Sequence, residues 1–396
     1  MKILNIDFGF GSNSMGFNDH ALLNILELQK HGNDITWVTC DATPMVKNYI
    51  KNTSTTIQED IPVNIHGIKT HVLHCKSPAL AWYCPGASKL AKKIIKDYDV
   101  VHIRNWYDHL SFTFSRAAHR YNIPYVFTSH GTIHAEARKR YNRTLKLFVD
   151  KIYTKKMLLG ASALHSTGES EAIEFIKAGV QEEKIFRIKV GILLDDFKIK
   201  QRTNILERLN IDKKEYVLFL SRIDKKKGIE LLLNAFAKLN MINVILVIAG
   251  SGNKEYEEKI KKQVKKLRLE KSVKFAGFVN GYEKLQLLES AKLFVLPSYS
   301  DVTPMSITEA LTMGVPALVT KNCDYPEIEK YNAGIIVEAT VESIFQGLIK
   351  ILNNKNNFST LSNNAKKLVA ENFVYDERKI NKYEEMYNYA VKKYKL

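Results

Sequence analysis

At 396 residues, 45% hydrophobic and 26% charged, the chain has the composition of an ordinary globular protein and is too long for one comfortable core, so two domains are expected. No apolar run approaches a membrane span and residues 2–7 already read as a strand, which predicts neither a signal peptide nor a transmembrane helix. The formal net charge of +17 admits nucleic acid, an anionic membrane surface or phosphorylated substrates as partners, with a lysine-rich composition as the fourth explanation. Cys40, Cys75, Cys84 and Cys323 form no CxxC pair and no metal-ligand spacing; they read as buried thiols in a reducing compartment, and no metal site is expected.

In chain order, residues 2–7 read as a strand and Phe8 to Gly16 as a glycine-bearing loop (Gly9, Gly11, Gly16). A helix buried on one face follows over 21–30, through Leu22, Leu23, Ile25, Leu26 and Leu28, and then a strand over 34–39. This is a Rossmann-type unit without the strict GxGxxG spacing. Residues 41–90, broken by Pro62, Pro78 and Pro85, read as a peripheral strand or two, with a helix over 87–96. Strands resume at 100–103 and 125–128, and the second ends in Ser129-His130-Gly131-Thr132. Open α/β sheets bind ligands beyond the carboxyl ends of their strands, which makes His130 a candidate for chemistry; the alternative is a histidine bonding backbone at a strand end. His102, Trp106, Asp108 and His109 are further candidates for contacts with an acceptor.

Arg138 to Lys156 reads as a basic amphipathic helix, with Lys139, Arg140, Arg143 and Lys146 beside an apolar stripe of Leu145, Phe148, Ile152 and Tyr153. Such a helix either lies on an anionic membrane or packs on the core with its lysines solvated. Strands at 161–165 and 185–189 close the first half, and 198–203 is a polar linker. The second half repeats the grammar: strand 216–220, loop Ser221 to Gly228, helix 229–239, strand 244–249, helix 253–269, strand 273–276, helix 282–291, strand 293–296. Arg222 and Lys227 sit in the first of these loops, a fork and a point charge suited to phosphate, or else part of a solvated basic loop. In the stretch 297–316, Thr303 is the expected N-cap, Pro304 the first helical residue and Gly314 the helix stop. Asp301 and Glu309 flank the helix start, where free N–H groups make an anion site; the alternative is that they complement the helix dipole and face solvent.

Pro297-Ser298, Asp301, Pro304, Glu309-Ala310 and Gly314-Val315-Pro316 together resemble the signature of retaining GT-B glycosyltransferases of family 4, as does the Arg222-x4-Lys227-Gly228 spacing. The family's pattern is Glu, seven residues, Glu; here Asp301 stands first, and Val302-Thr303 replaces the Gly-Phe that usually follows. The resemblance implies an α/β GT-B fold: two Rossmann-like parallel-sheet domains facing a cleft, an acceptor-binding domain over 1–197, a nucleotide-sugar domain over 204–372, and a C-terminal helix over 373–396 crossing back to the first. It implies that Arg222 and Lys227 hold the donor diphosphate together with the helix start at Pro304, Met305 and Ser306. It also implies that Glu309 binds ribose, Asp301 orients the donor sugar, His130 lies beside the anomeric carbon, and the loop at Gly16 approaches the donor.

The expected activity is transfer of a hexose from a UDP- or GDP-linked sugar to a glycan, lipid-linked or small-molecule acceptor, with retention and without metal or other cofactor. Its setting is the cytoplasm, at the inner face of the membrane if the basic helix binds there, in polysaccharide or cell-envelope synthesis; nucleic acid is not an expected partner. Two other classes fit the same fold: a nucleotide-sugar epimerase, and a non-catalytic protein binding anionic surfaces.

Overall fold

The computed structural model describes residues 1–7, 20–76, 83–104, 108–130, 155–211, 214–239, 244–353 and 357–394. The chain divides into two compact units, Met1–Ile192 with Tyr375–Leu396, and Leu193–Val374.

Unit 1 contains β1 (Lys2–Ile6), α1 (His20–Lys30), β2 (Asp34–Cys40), α2 (Pro44–Thr53), β3 (Val63–Ile65), β4 (Ile68–Leu73), α3 (Ala87–Ile94), β5 (Val100–Ile103), α4 (His109–Arg120) and β6 (Tyr125–Thr128). After these come α5 (Lys155–Leu159), β7 (Ala163–Ser166), α6 (Glu169–Lys177) and β8 (Ile185–Arg187). The strands form one sheet in the order β3-β4-β2-β1-β5-β6-β7-β8, parallel throughout except for the edge pair β3–β4. The sheet is therefore a parallel Rossmann-like sheet, mixed only at this peripheral edge. Helix α2 is a departure from the sequence reading. Thr43 accepts from the Val46 N–H at 3.3 Å and Pro44 opens the helix, a start signal overshadowed by the nearby prolines.

Unit 2 contains α7 (Ile205–Arg208), β9 (Glu215–Leu220), α8 (Ile229–Lys238), β10 (Val244–Ala249), α9 (Lys254–Lys266), β11 (Val273–Gly277), α10 (Gly281–Glu289) and β12 (Leu293–Leu296). It continues with α11 (Met305–Thr312), β13 (Ala317–Thr320), α12 (Glu327–Lys330), β14 (Gly334–Val337), α13 (Val341–Leu352) and α14 (Phe358–Asn372). The sheet is all parallel, in the order β11-β10-β9-β12-β13-β14. Its central strands are buried on both faces, so β10 reads as an unbroken apolar run, VILVIA, rather than as an alternation.

Unit 1 is completed by the last helix, α15 (Glu377–Tyr394). A buried rod of hydrogen bonds ties it across the sheet. His165 Nε2 lies 2.8 Å from the carbonyl of Ile188, which can only accept, so Nε2 carries the proton and Nδ1 accepts from the Thr128 hydroxyl at 3.0 Å. Thr128 Oγ1 then accepts from His102 Nε2 at 2.8 Å, and His102 Nδ1 accepts from the Tyr387 hydroxyl at 2.8 Å. Burial holds both imidazoles neutral, His165 down to about 3 and His102 well below its ordinary range. His102 is thus a structural residue rather than an acceptor contact. Among the described residues no helix is long and apolar enough to cross a membrane.

Helix α15 also buries Lys379, whose ammonium donates to the Lys189 carbonyl at 2.8 Å. Burial lowers its pKa from 10.5 to about 7. Between these values the unfolded chain binds one more proton than the folded one, so this group makes stability rise with pH across that window. The Lys379→Met variant should lose that rise, giving a flatter dependence of the urea midpoint between pH 7 and pH 10. An unchanged slope would show that Lys379 stays protonated in the fold.

Candidate active site

The topology of unit 2 decides what meets what. Strand order reverses between β9 and β12, which run parallel and adjacent (Leu293 opposite Val217, Phe294 opposite Leu218), so their following loops emerge side by side at the carboxyl edge of the sheet. In the first loop Asp224 caps a tight turn over Lys225–Lys227 by accepting from the Lys226 N–H at 2.8 Å. Gly228 ends the turn at φ 69°, and a β-carbon there would stand 2.0 Å from the Pro297 carbonyl oxygen, so only glycine lets the two loops approach. The second loop is stitched to the first. The Tyr299 N–H donates to the Lys226 carbonyl at 2.8 Å, and Ser298 Oγ lies 3.0 Å from the same carbonyl. On its other side the Asp301 N–H donates to Asn322 O at 2.8 Å and the Thr303 N–H to Cys323 O at 3.1 Å.

This brings together two residues that the sequence placed in separate roles. The buried Lys227 ammonium lies 2.6 Å from Asp301 Oδ2, which also accepts from the Ser298 hydroxyl at 2.7 Å. Lys226 Nζ stands 3.8 Å from Asp301 Oδ1. Arg222, two residues past the end of β9, is exposed. The first loop thus carries four cations, Arg222, Lys225, Lys226 and Lys227, against its own Asp224 and the facing Asp301, and the excess is positive.

Helix α11 begins directly after the second loop. The expected cap shifts by one residue: Pro304 (φ −61°, ψ 128°) is the N-cap and Met305 the first helical residue, while Thr303 takes the left-handed conformation at φ 43°. The N–H groups of Met305 and Ser306 lie in the first turn and lack intrahelical acceptors, so they remain available to an anion.

Glu309, one turn further along α11, is buried and accepts from Lys284 Nζ of α10 at 2.9 Å. Sequence reasoning missed Lys284. It stands in the helix expected over 282–291, to whose charged residues the sequence assigned no role, and the packing of α10 against α11 brings it to Glu309. Nearby, burial pushes the Cys323 thiol up to about 11, so it is an inert part of the loop's support.

In unit 1, His130 follows β6 at its carboxyl end, half-buried, at φ 46°. A left-handed backbone at a non-glycine residue costs on the order of 1 kcal/mol. Asp108 is buried as the N-cap of α4, accepting from the Ser111 N–H at 2.9 Å and the Ser111 hydroxyl at 2.7 Å, so it serves the helix. His109 Nδ1 accepts from the Cys84 N–H at 3.4 Å. Gly16, Trp106 and the basic stretch from Arg138, apart from Lys155 and Lys156, lie outside the described residues.

Comparison with known proteins gives this arrangement a class. Anabaena HepE, solved in complex with UDP, superposes with a TM-score of 0.76 at 19% identity over 98% of this chain and 99% of that one. Two α/β units of this topology make the fold that of a GT-B glycosyltransferase. The sequence model described as "Glycosyl transferases group 1" matches residues 201–368, and that described as "Glycosyltransferase Family 4" matches residues 16–196. The chain therefore belongs to glycosyltransferase family 4. An uncharacterized glycosyltransferase of Methanocaldococcus jannaschii is 28% identical over 85% of this chain and 89% of its own. The amylovoran biosynthesis glycosyltransferase AmsK of Erwinia amylovora is 26% identical over 40% of this chain and 39% of its own.

Removing one member of a buried ion pair leaves the other charge stranded. Lys284→Met should lower unfolding free energy by about 3 kcal/mol in urea denaturation, and adding Glu309→Gln should restore part of it. A single variant as stable as the wild type would show that solvent, not Lys284, satisfies Glu309.

Proposed function

We propose that this glycosyltransferase moves a hexose from a UDP- or GDP-linked donor to a glycan or lipid-linked acceptor, with retention of configuration and without a metal. The observation that carries the reading is the excess of cations at the junction of the β9 and β12 loops, beside the start of α11. As the sugar–phosphate bond breaks, negative charge develops on the diphosphate. Arg222, Lys227 and the Met305 and Ser306 N–H groups would meet that charge without first reorganising. Lys227 has three donors and Asp301 uses one of them, so the ammonium keeps its anchor while donating to phosphate. We assign Glu309, held by Lys284, to the ribose hydroxyls; Asp301 to the donor sugar, in addition to its hold on Lys227; and His130 to the reacting end of that sugar. The HepE structures with UDP and with UDP-glucose, and the biosynthetic role in the name of AmsK, support the nucleotide-sugar class and a polysaccharide setting.

Arg222 tests this best, because its exposure lets it change without disturbing the core. Arg222→Ala should lower kcat/KM by roughly ten- to a thousandfold with the unfolding midpoint unchanged. Calorimetry with UDP and GDP identifies the base, and Glu309→Ala should weaken whichever binds. Wild-type turnover in Arg222→Ala would overturn the diphosphate assignment.

The metal-free reading has its own test. Transfer should persist at the wild-type rate in excess EDTA. Loss of activity that manganese or magnesium restores would place a catalytic cation in the site.

A further inference from the structure

Three of the four cysteines, which the sequence spacing left as separate buried thiols, come from three segments and meet at the carboxyl edge of the unit 1 sheet. Cys40 is the last residue of β2 and is paired in register with Leu73, the last residue of β4. Cys75 therefore lies just past the neighbouring strand end, where its N–H donates to Asp41 Oδ1 at 2.9 Å. Cys84 precedes α3, and the bond from the Lys76 N–H to Tyr83 O at 3.0 Å closes the chain between the second and third cysteines. The three sulfur atoms lie within 4.8 Å of one another. Cys40 and Cys84 are fully buried, and Cys75 is partly exposed.

We propose that these three thiols form a structural site for a thiophilic divalent cation of the zinc class. A sulfur-to-zinc distance of about 2.3 Å sets neighbouring sulfurs about 3.8 Å apart in a tetrahedral site, so the observed cluster needs to contract by no more than about 1 Å. A disulfide would use two of the sulfurs, at about 2 Å, and leave the third unexplained. Apolar packing alone would be served as well by alanine or valine, and it does not require sulfurs from three segments to converge. Charge selects the divalent ion: three thiolates with a 2+ cation leave one net negative charge, where a monovalent ion would leave two in a largely apolar pocket. The partly exposed Cys75 side supplies entry and a fourth ligand position open to solvent. Bound there, the ion would cross-link the ends of β2 and β4 to the lead-in of α3. Each thiol gives up its proton on binding, so affinity falls as pH is lowered.

The test uses the reduced full-length chain, with Cd(II) as an optical probe of thiolate ligation and Zn(II) as competitor. We expect an ultraviolet sulfur-to-Cd(II) charge-transfer band that saturates at one equivalent, is displaced by Zn(II), and comes with a higher melting temperature. Cys75→Ser, the change least able to disturb the core, should weaken binding by on the order of a hundredfold. Cys323→Ser should keep the band. The proposal is overturned by absence of a saturable one-equivalent band, by a band surviving in the Cys40→Ser, Cys75→Ser, Cys84→Ser triple variant, or by a disulfide between any two of the three in the protein as isolated.

Discussion

The contact between Lys227 and Asp301 organises the candidate site. It joins residues 74 positions apart, and it exists because β9 and β12 are neighbours in the sheet. A buried pair of this kind adds little to stability, since desolvating both charges offsets most of their attraction. Its contribution is positional. The ammonium cannot swing into solvent, Ser298 fixes the carboxylate from a second direction, and Gly228 lets the two loops close to bonding distance.

Much of this site was legible in the sequence because its residues stand where chemistry and chain punctuation coincide. Arg222, Lys227 and Asp301 follow short apolar runs that can only be buried parallel strands, and Pro304 and Gly314 mark the ends of the helix that carries Glu309. Strand adjacency was not legible. No local pattern says that the loop after β9 lies against the loop after β12, so the pairing of Lys227 with Asp301 had to come from the structure. Lys284 was hidden for a related reason: a lysine on an amphipathic helix reads as solvated until the packing partner is known. The one-residue shift of the α11 cap came from a left-handed Thr303, a conformation β-branched residues rarely adopt and propensity argues against.

The two units differ in how openly they declare themselves. Unit 2 carries a compact set of motifs on a regular parallel sheet. Unit 1 ends in an antiparallel edge pair, includes a helix at Pro44–Thr53 that the prolines obscured, and gathers three cysteines whose sequence separations suggest nothing. Its polar interior follows a different logic from that of unit 2. Beside its buried charges it runs a neutral chain that starts from the Tyr387 hydroxyl and passes through His102, Thr128 and His165, each of these three donating one proton and accepting one.

That chain ends on α15, which places the last segment of the polypeptide in the first unit. The consequence is temporal. As the protein leaves the ribosome, the sheet of unit 1 emerges early, but His102 and His165 have no tyrosine neighbours until all of unit 2 has been made. At roughly 5–20 residues per second, that interval is on the order of ten seconds or more. Until then the chain of bonds through His102, Thr128 and His165 lacks the tyrosine that starts it, so a truncation that removes α15 would be felt more than two hundred residues earlier in the sequence.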